Sequence, residues 1–181
     1  MNPFEYVQAD SANKAVALLS DEKDRTKVIA GGIDLLGELK DHLIEPKQLI
    51  GITGIAGLDS IQEDGGSLKI GATAILADIA SHSTIRSKHT ALAESAVVVG
   101  SPQIRNAGTL GGNLCQRPRC WYFRGEYYHC LKKGGTLCYA VAGRNQYHAI
   151  LGGTPCFIVH PSDCAPALIA LGAKLKLLSP Q

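Results

Sequence analysis

Short apolar runs alternate with helically spaced leucines through the first fifty residues. Phe4-Glu5-Tyr6-Val7 reads as a short strand, and Lys27-Val28-Ile29-Ala30 as a second, buried one ended by Gly31-Gly32. Gln48-Leu49-Ile50 reads as a third. Ser11 stands where an N-cap belongs, ahead of a helix over 11–19 with Ala15, Leu18 and Leu19 on one face. Leu35, Leu36, Leu39 and Leu43 recur at helical spacing until Pro46 stops the run. Residues 1–52 are therefore expected to form a β-α-β-α-β unit.

A second unit starts near Leu58. Ser60-Ile61-Gln62 and Ser67-Leu68-Lys69-Ile70 flank Asp64-Gly65-Gly66, a hairpin signal. Thr73 is placed to cap a helix carrying Leu76, Ile79 and Ala80, and another helix is expected over 90–99. Pro166-Ala167-Leu168-Ile169-Ala170 reads as one more helix, and Ala173-Lys174-Leu175-Lys176-Leu177 alternates as a strand should. Helices and strands mixed within two units predict an α+β fold, divided at 1–55 and 56–181.

Composition narrows this little. The 181 residues are 45% hydrophobic and 19% charged, with net charge +2, which gives no reason to expect nucleic acid or an anionic membrane as partner. Met1-Asn2-Pro3-Phe4-Glu5-Tyr6 has no basic run before an apolar core, so no signal peptide is expected there. No apolar run approaches the ~18 residues that span a bilayer, so no membrane insertion is expected.

Two loops carry candidate chemistry. Ala30-Gly31-Gly32-Ile33-Asp34-Leu35 runs from a strand into a helix, where glycines let backbone N–H groups approach a phosphate. A bare strand-to-helix turn explains the same glycines. Thr109-Leu110-Gly111-Gly112-Asn113 is a second such loop, with a hydroxyl and an amide added. One loop per unit allows both to meet on one diphosphate. Neither fits the Gly-x-Gly-x-x-Gly or Walker pattern, which excludes a Rossmann or P-loop reading.

All six cysteines lie beyond position 114, and Cys120, Cys130, Cys138 and Cys156 share a stretch with the only Trp, Trp121. No C-x2-C pair occurs, which counts against common zinc ribbons. Such spacing admits a [4Fe–4S] cluster, a zinc site, or reduced thiols or disulfides. Arg117, Arg119, Arg124, Lys132 and Lys133 interleave with Trp121, Tyr122, Phe123, Tyr127 and Tyr128. Interleaving of this kind serves single-stranded nucleic acid, or else shields a cluster from water while the arginines offset its charge. The second reading is preferred because the chain has no other basic stripe.

The order Ala30-Gly31-Gly32-x-Asp34-Leu35, Gly100-Ser101-x-Gln103-Ile104-Arg105-Asn106, Thr109-Leu110-Gly111-Gly112-Asn113 and Pro161-Ser162-Asp163 resembles the FAD-binding subunit of molybdenum hydroxylases. The resemblance implies the two-subdomain vanillyl-alcohol oxidase (PCMH) type of fold, with FAD between the subdomains. It implies that Ala30, Gly31, Gly32, Ile33, Asp34 and Leu35 wrap the diphosphate, with Ser101, Thr109, Gly112 and Asn113 on the facing subdomain. Ser162 and Asp163 would sit by the ribose or adenosine. Ile33 stands where a Thr is usual, so a hydroxyl donor is lost. Relatives reach the Ser-Asp pair soon after Gly-Gly-Asn, whereas here residues 114–161 intervene. A cysteine-bearing insertion there resembles 4-hydroxybenzoyl-CoA reductase and the periplasmic-type aldehyde oxidoreductase, and implies Cys120, Cys130, Cys138 and Cys156 as ligands of a [4Fe–4S] cluster, leaving Cys115 and Cys164 as non-ligands.

The resemblance also implies a large molybdenum-cofactor subunit and a small [2Fe–2S] subunit as partners. Location would be cytoplasmic, or periplasmic if a partner carries the export signal. The family's C-terminal domain, which helps cover the isoalloxazine ring, is expected to be absent. No acid, base or nucleophile for substrate chemistry is evident. The alternative reading is a zinc-stabilised RNA- or protein-binding module without flavin.

Overall fold

Three of the apolar runs become one parallel sheet. The computed structural model, which describes residues 1–19 and 24–179, places β1 (Glu5–Gln8) and β2 (Thr26–Ile29) on either side of β3 (Gln48–Gly51). Tyr6 and Val28 register against Leu49 and Ile50 respectively. Parallel neighbours need crossovers, which α1 (Ala12–Ala17) and α2 (Leu35–Lys40) help supply. The central strand is the buried one: Leu49 and Ile50 are inaccessible, and Ile50 packs with Ala9, Ala15 and Ile55. Ser11 caps α1 as expected, accepting from the Lys14 N–H at 3.3 Å. The second helix is shorter than its leucine spacing predicts. His42 adopts φ +52°, so Leu43 falls beyond the helix end.

The hairpin is β4 (Ile61–Asp64) and β5 (Ser67–Ile70), with Asp64 opposite Ser67. Gly65 and Gly66 form its two-residue turn, both at positive φ, as a tight primed turn requires. Helices α3 (Leu76–Ser81), α4 (Ser83–Lys88) and α5 (Thr90–Val97) then enclose a second core of Leu76, Ile79, Ile85, Leu92 and Ala96. Helix α4 is unanticipated because Ile85 is its one buried side chain, too little to show a period. Thr73 does not cap α3. Its buried hydroxyl has no partner, and the Leu76 N–H donates to the Gly108 carbonyl at 2.9 Å.

The glycine-rich run is itself helical. Ser101 caps α6 (Pro102–Ala107) and Thr109 caps α7 (Leu110–Leu114). The 114–161 segment carries α8 (Trp121–Arg124) and two 3-10 turns, and α9 (Cys164–Ala170) packs back on α5 and α7. The segment is organised by aromatics: the Tyr122 ring lies 5.0 Å from Tyr128 edge-on and 5.9 Å from Tyr139 in a stack. Its two ends are joined by Asn113, whose Oδ1 accepts from the Ser162 hydroxyl at 2.6 Å and the Cys164 N–H at 3.1 Å, while Nδ2 donates to Asp163 at 2.8 Å. The alternating Ala173–Leu177 run forms no strand among the described residues, and Leu175 and Leu177 are exposed. Alternation needs a strand edge to pair with, and among the described residues this run joins neither sheet. No helix is long and apolar enough to cross a membrane among the described residues.

Candidate functional site

The two Gly-Gly runs face each other. A Cβ on Gly31 would overlap the Ala107 carbonyl oxygen and stand 2.8 Å from its carbon and 3.3 Å from the Gly108 Cα. Glycine at 31 is thus what lets the end of β2 touch the α6–α7 connection. Gly32, at φ +72°, turns the chain into α2. Beside this contact opens a crevice of about 990 Å³, at the upper end of the ~300–1,000 Å³ usual for small-molecule and cofactor sites.

Ala30, Gly31, Gly32, Ile33, Asp34 and Leu35 line one wall, and Thr109, Gly112, Asn113 and Asp163 the other. A Cβ on Gly112 would meet only the Thr109 hydroxyl, at 3.0 Å, so the other approaches to it are clear of protein atoms. Ile33 is half exposed and presents hydrocarbon. Ser101 and Ser162 stand outside the crevice lining. Ser101 accepts from the Ile104 N–H as a helix cap, and Ser162 is buried against Asn113. The Asn113 side chain, although it lines the crevice, is committed to the Ser162–Cys164 turn.

Asp34 is also committed. Its Oδ1 accepts from Arg119 Nη1 at 2.8 Å and Arg124 Nη2 at 2.7 Å, and its Oδ2 from the Arg117 N–H at 2.7 Å. One turn further along α2, the buried Glu38 carboxylate lies 3.9 Å from both Arg117 Nε and Arg124 Nη1, and Oε1 has no hydrogen-bond partner. Burial pushes the Glu38 carboxyl above its ordinary range; Arg124 opposes the shift and Asp34 adds to it. These arginines, expected to offset the charge of a cluster, are instead paired with the acids beside the first glycine run. Sequence reasoning missed Glu38. Its signal was available: an acid four residues after Asp34, on a helix otherwise read for its leucines.

All six cysteines are free thiols. Cys130 is buried, and Cys120 Sγ lies 3.1 Å from His148 Nε2, beside a smaller cavity of about 310 Å³. Among the described residues no three His, Cys, Asp or Glu side chains are grouped to hold a metal ion. Cys120, Cys130, Cys138 and Cys156 therefore do not form a ligand cage as placed.

A family model described as FAD binding domain in molybdopterin dehydrogenase matches residues 2–181. The chain is 36% identical over 184 residues to the aldehyde oxidoreductase FAD-binding subunit PaoB of Escherichia coli, covering all of this chain and 57% of that protein. It is 40% identical over 115 residues to the nicotinate dehydrogenase FAD-subunit of Eubacterium barkeri, covering 63% of this chain and 39% of that one. The structure of carbon monoxide dehydrogenase from Hydrogenophaga pseudoflava lacking the Mo-pyranopterin moiety aligns with TM-score 0.59 and 38% identity, over 62% of this chain and 39% of that chain. The chain thus spans between two-fifths and somewhat more than half of these relatives.

Proposed function

The chain belongs to the family of FAD-binding domains in molybdopterin dehydrogenases, and on that footing we propose that it is the flavin-carrying electron-transfer subunit of a molybdenum hydroxylase of the aldehyde oxidoreductase or xanthine dehydrogenase kind. The observation that carries this reading is the convergence of the 30–35 and 109–113 runs on one crevice. Bound FAD would supply two-electron storage between a donor and an acceptor.

The residues present suit that group. Gly112 has an open approach on its crevice side, and the glycine turn at 31–32 also lines the crevice. Asp34 does not compete for the crevice, because three donors hold it. Ile33 and Leu35 add hydrocarbon to the crevice lining. The split at 1–55 and 56–181 has the support of two separate hydrophobic clusters, although the first unit's cluster also draws in Leu58 from just beyond that boundary. Partners would be a large molybdenum-cofactor subunit and a small [2Fe–2S] subunit, and location would follow theirs, cytoplasmic or periplasmic.

The finer reading is the branch with an extra [4Fe–4S] cluster on Cys120, Cys130, Cys138 and Cys156. Its support is that the match to PaoB runs through the whole chain, insertion included, whereas the nicotinate dehydrogenase match covers 63% of it. The four thiols are not grouped as placed. Family membership leaves the zinc-stabilised binding module without support.

Flavin, iron and sulfide analysis of anaerobically purified protein tests both levels. About one FAD released per chain on denaturation is expected; colourless, flavin-free protein would refute the reading. Cys130→Ser should lose iron while Cys164→Ser keeps it, since Cys164 sits in the second core; equal losses would overturn the ligand set.

A further inference from the structure

The cysteine-rich insertion touches the flavin loop at one charged joint. Segment 117–124 sends three donors to the Asp34 carboxylate across 83 to 90 residues of sequence, occupying both of its oxygens. Arg124 is the centre of the joint. Its Nε donates to the Pro118 carbonyl at 2.8 Å, and Nη2 is shared between Asp34 and the Arg117 carbonyl. Nη1 faces Glu38 at 3.9 Å, and the guanidinium lies over the Phe123 ring at 5.7 Å. The fork is thus fixed from both the insertion and α2, a geometry that an ammonium could not reproduce.

Asp34 directly follows Gly32-Ile33 and precedes the first residue of α2, so holding its carboxylate fixes where that turn points. The same joint brings Phe123, Tyr128, His129 and Lys132 of the insertion to the rim of the crevice. Breaking it would leave Glu38, 3% exposed, as a buried acid whose remaining ion-pair contact among the described residues is Arg117 Nε at 3.9 Å. A buried carboxylate stripped of its partner is strongly unfavourable. The turn would therefore move rather than stay as it is.

We propose that Arg124 is a positioning residue for the flavin loop: acting through Asp34 and Glu38, it makes dinucleotide affinity depend on the docked insertion. The inference rests on the flavin reading given above and adds the part of the chain that tunes it. A purely local insertion would leave flavin binding alone.

The test titrates FAD into flavin-free full-length protein, following the quenching of flavin fluorescence, for wild type, Arg124→Ala, Arg124→Lys, Asp34→Asn and the double variant. Each single removal should weaken FAD binding by about tenfold to a hundredfold, the range set by one charge-assisted hydrogen bond of this kind. Lysine should restore less than half of the loss on a logarithmic scale. The double variant should be little worse than either single one, because the two side chains act together. Circular dichroism identifies variants that stay folded, and Arg119→Ala, which removes one of the same donors, replaces Arg124→Ala if the latter fails to fold. Unchanged FAD affinity in folded variants, or strictly additive losses, overturns the proposal while the flavin reading stands. Wild-type protein that binds no FAD overturns both.

Discussion

Alanine at position 31 should force the two walls of the crevice apart. Its Cβ would overlap the Ala107 oxygen and reach 2.8 Å from the Ala107 carbon, all of it main chain. Carbon–carbon contacts relax at about 3.5–4.0 Å, so the 107–108 backbone would have to retreat by roughly 1 Å. That segment is tethered, with the Gly108 N–H on the Ile104 carbonyl at 2.6 Å and the Leu76 N–H on the Gly108 carbonyl at 2.9 Å. Overpacking against fixed atoms costs about 1–3 kcal/mol. Lower entropy of the unfolded chain returns only about 0.4–1 kcal/mol. The net loss of up to ~2.6 kcal/mol converts, at ~2–4 °C per kcal/mol for a chain of this size, to a Tm lower by as much as roughly 10 °C. Gly37 is the control. It lies inside α2 with nothing within 4 Å of an added Cβ, so Gly37→Ala should gain about 0.5–1 kcal/mol of helix propensity. Far-UV circular dichroism melts of the two variants, run beside FAD titrations, give the answer. Gly31→Ala melting at or above wild type, with FAD affinity intact, would refute the contact between the glycine runs.

Gly112→Val should fill crevice space rather than break packing, so retained flavin should fall sharply while Tm moves little; full flavin content would show that this wall does not meet the ligand. Asn113→Ala removes the amide that joins the ends of the insertion, leaving one or two buried groups unpartnered at about 1–3 kcal/mol each. Its urea midpoint should drop accordingly, and an unchanged midpoint would mean that the turn holds itself. Glu38 gives a pH signature. Its folded carboxyl titrates above the ordinary value of 4.5, so the stability it contributes is complete below that pH and is lost as pH rises through the folded value. Glu38→Gln cannot ionise and should gain on wild type between pH 4.5 and neutrality; parallel stability curves over that range would contradict the burial.

The first unit and the hairpin that follows it were largely legible because their signals are local. Ser11, the 27–30 and 48–50 runs and the 65–66 turn each act within a few residues of themselves, and each became the expected element within a residue or two. The glycine run at 107–113 was read as a phosphate loop and not as a helix, since two glycines disfavour α7 and its support comes from elsewhere. The Leu110 N–H on the Ala74 carbonyl and the Gly111 N–H on the Ala72 carbonyl hold it. The 173–177 alternation failed for the converse reason, having the pattern of a strand but, among the described residues, joining neither sheet.

Sequence alone determined where the chain turns, which side chains seek burial, and which backbone stretches carry no side chain. Tertiary structure decided which charges meet. Whether Arg119 and Arg124 face a cluster, solvent or Asp34 depends on the path of a chain that separates them from Asp34 by 85 and 90 positions, and Coulomb attraction falls off with a distance that no local pattern records. The same holds for Gly31, whose lack of a side chain is explained only by the Ala107 carbonyl that arrives beside it.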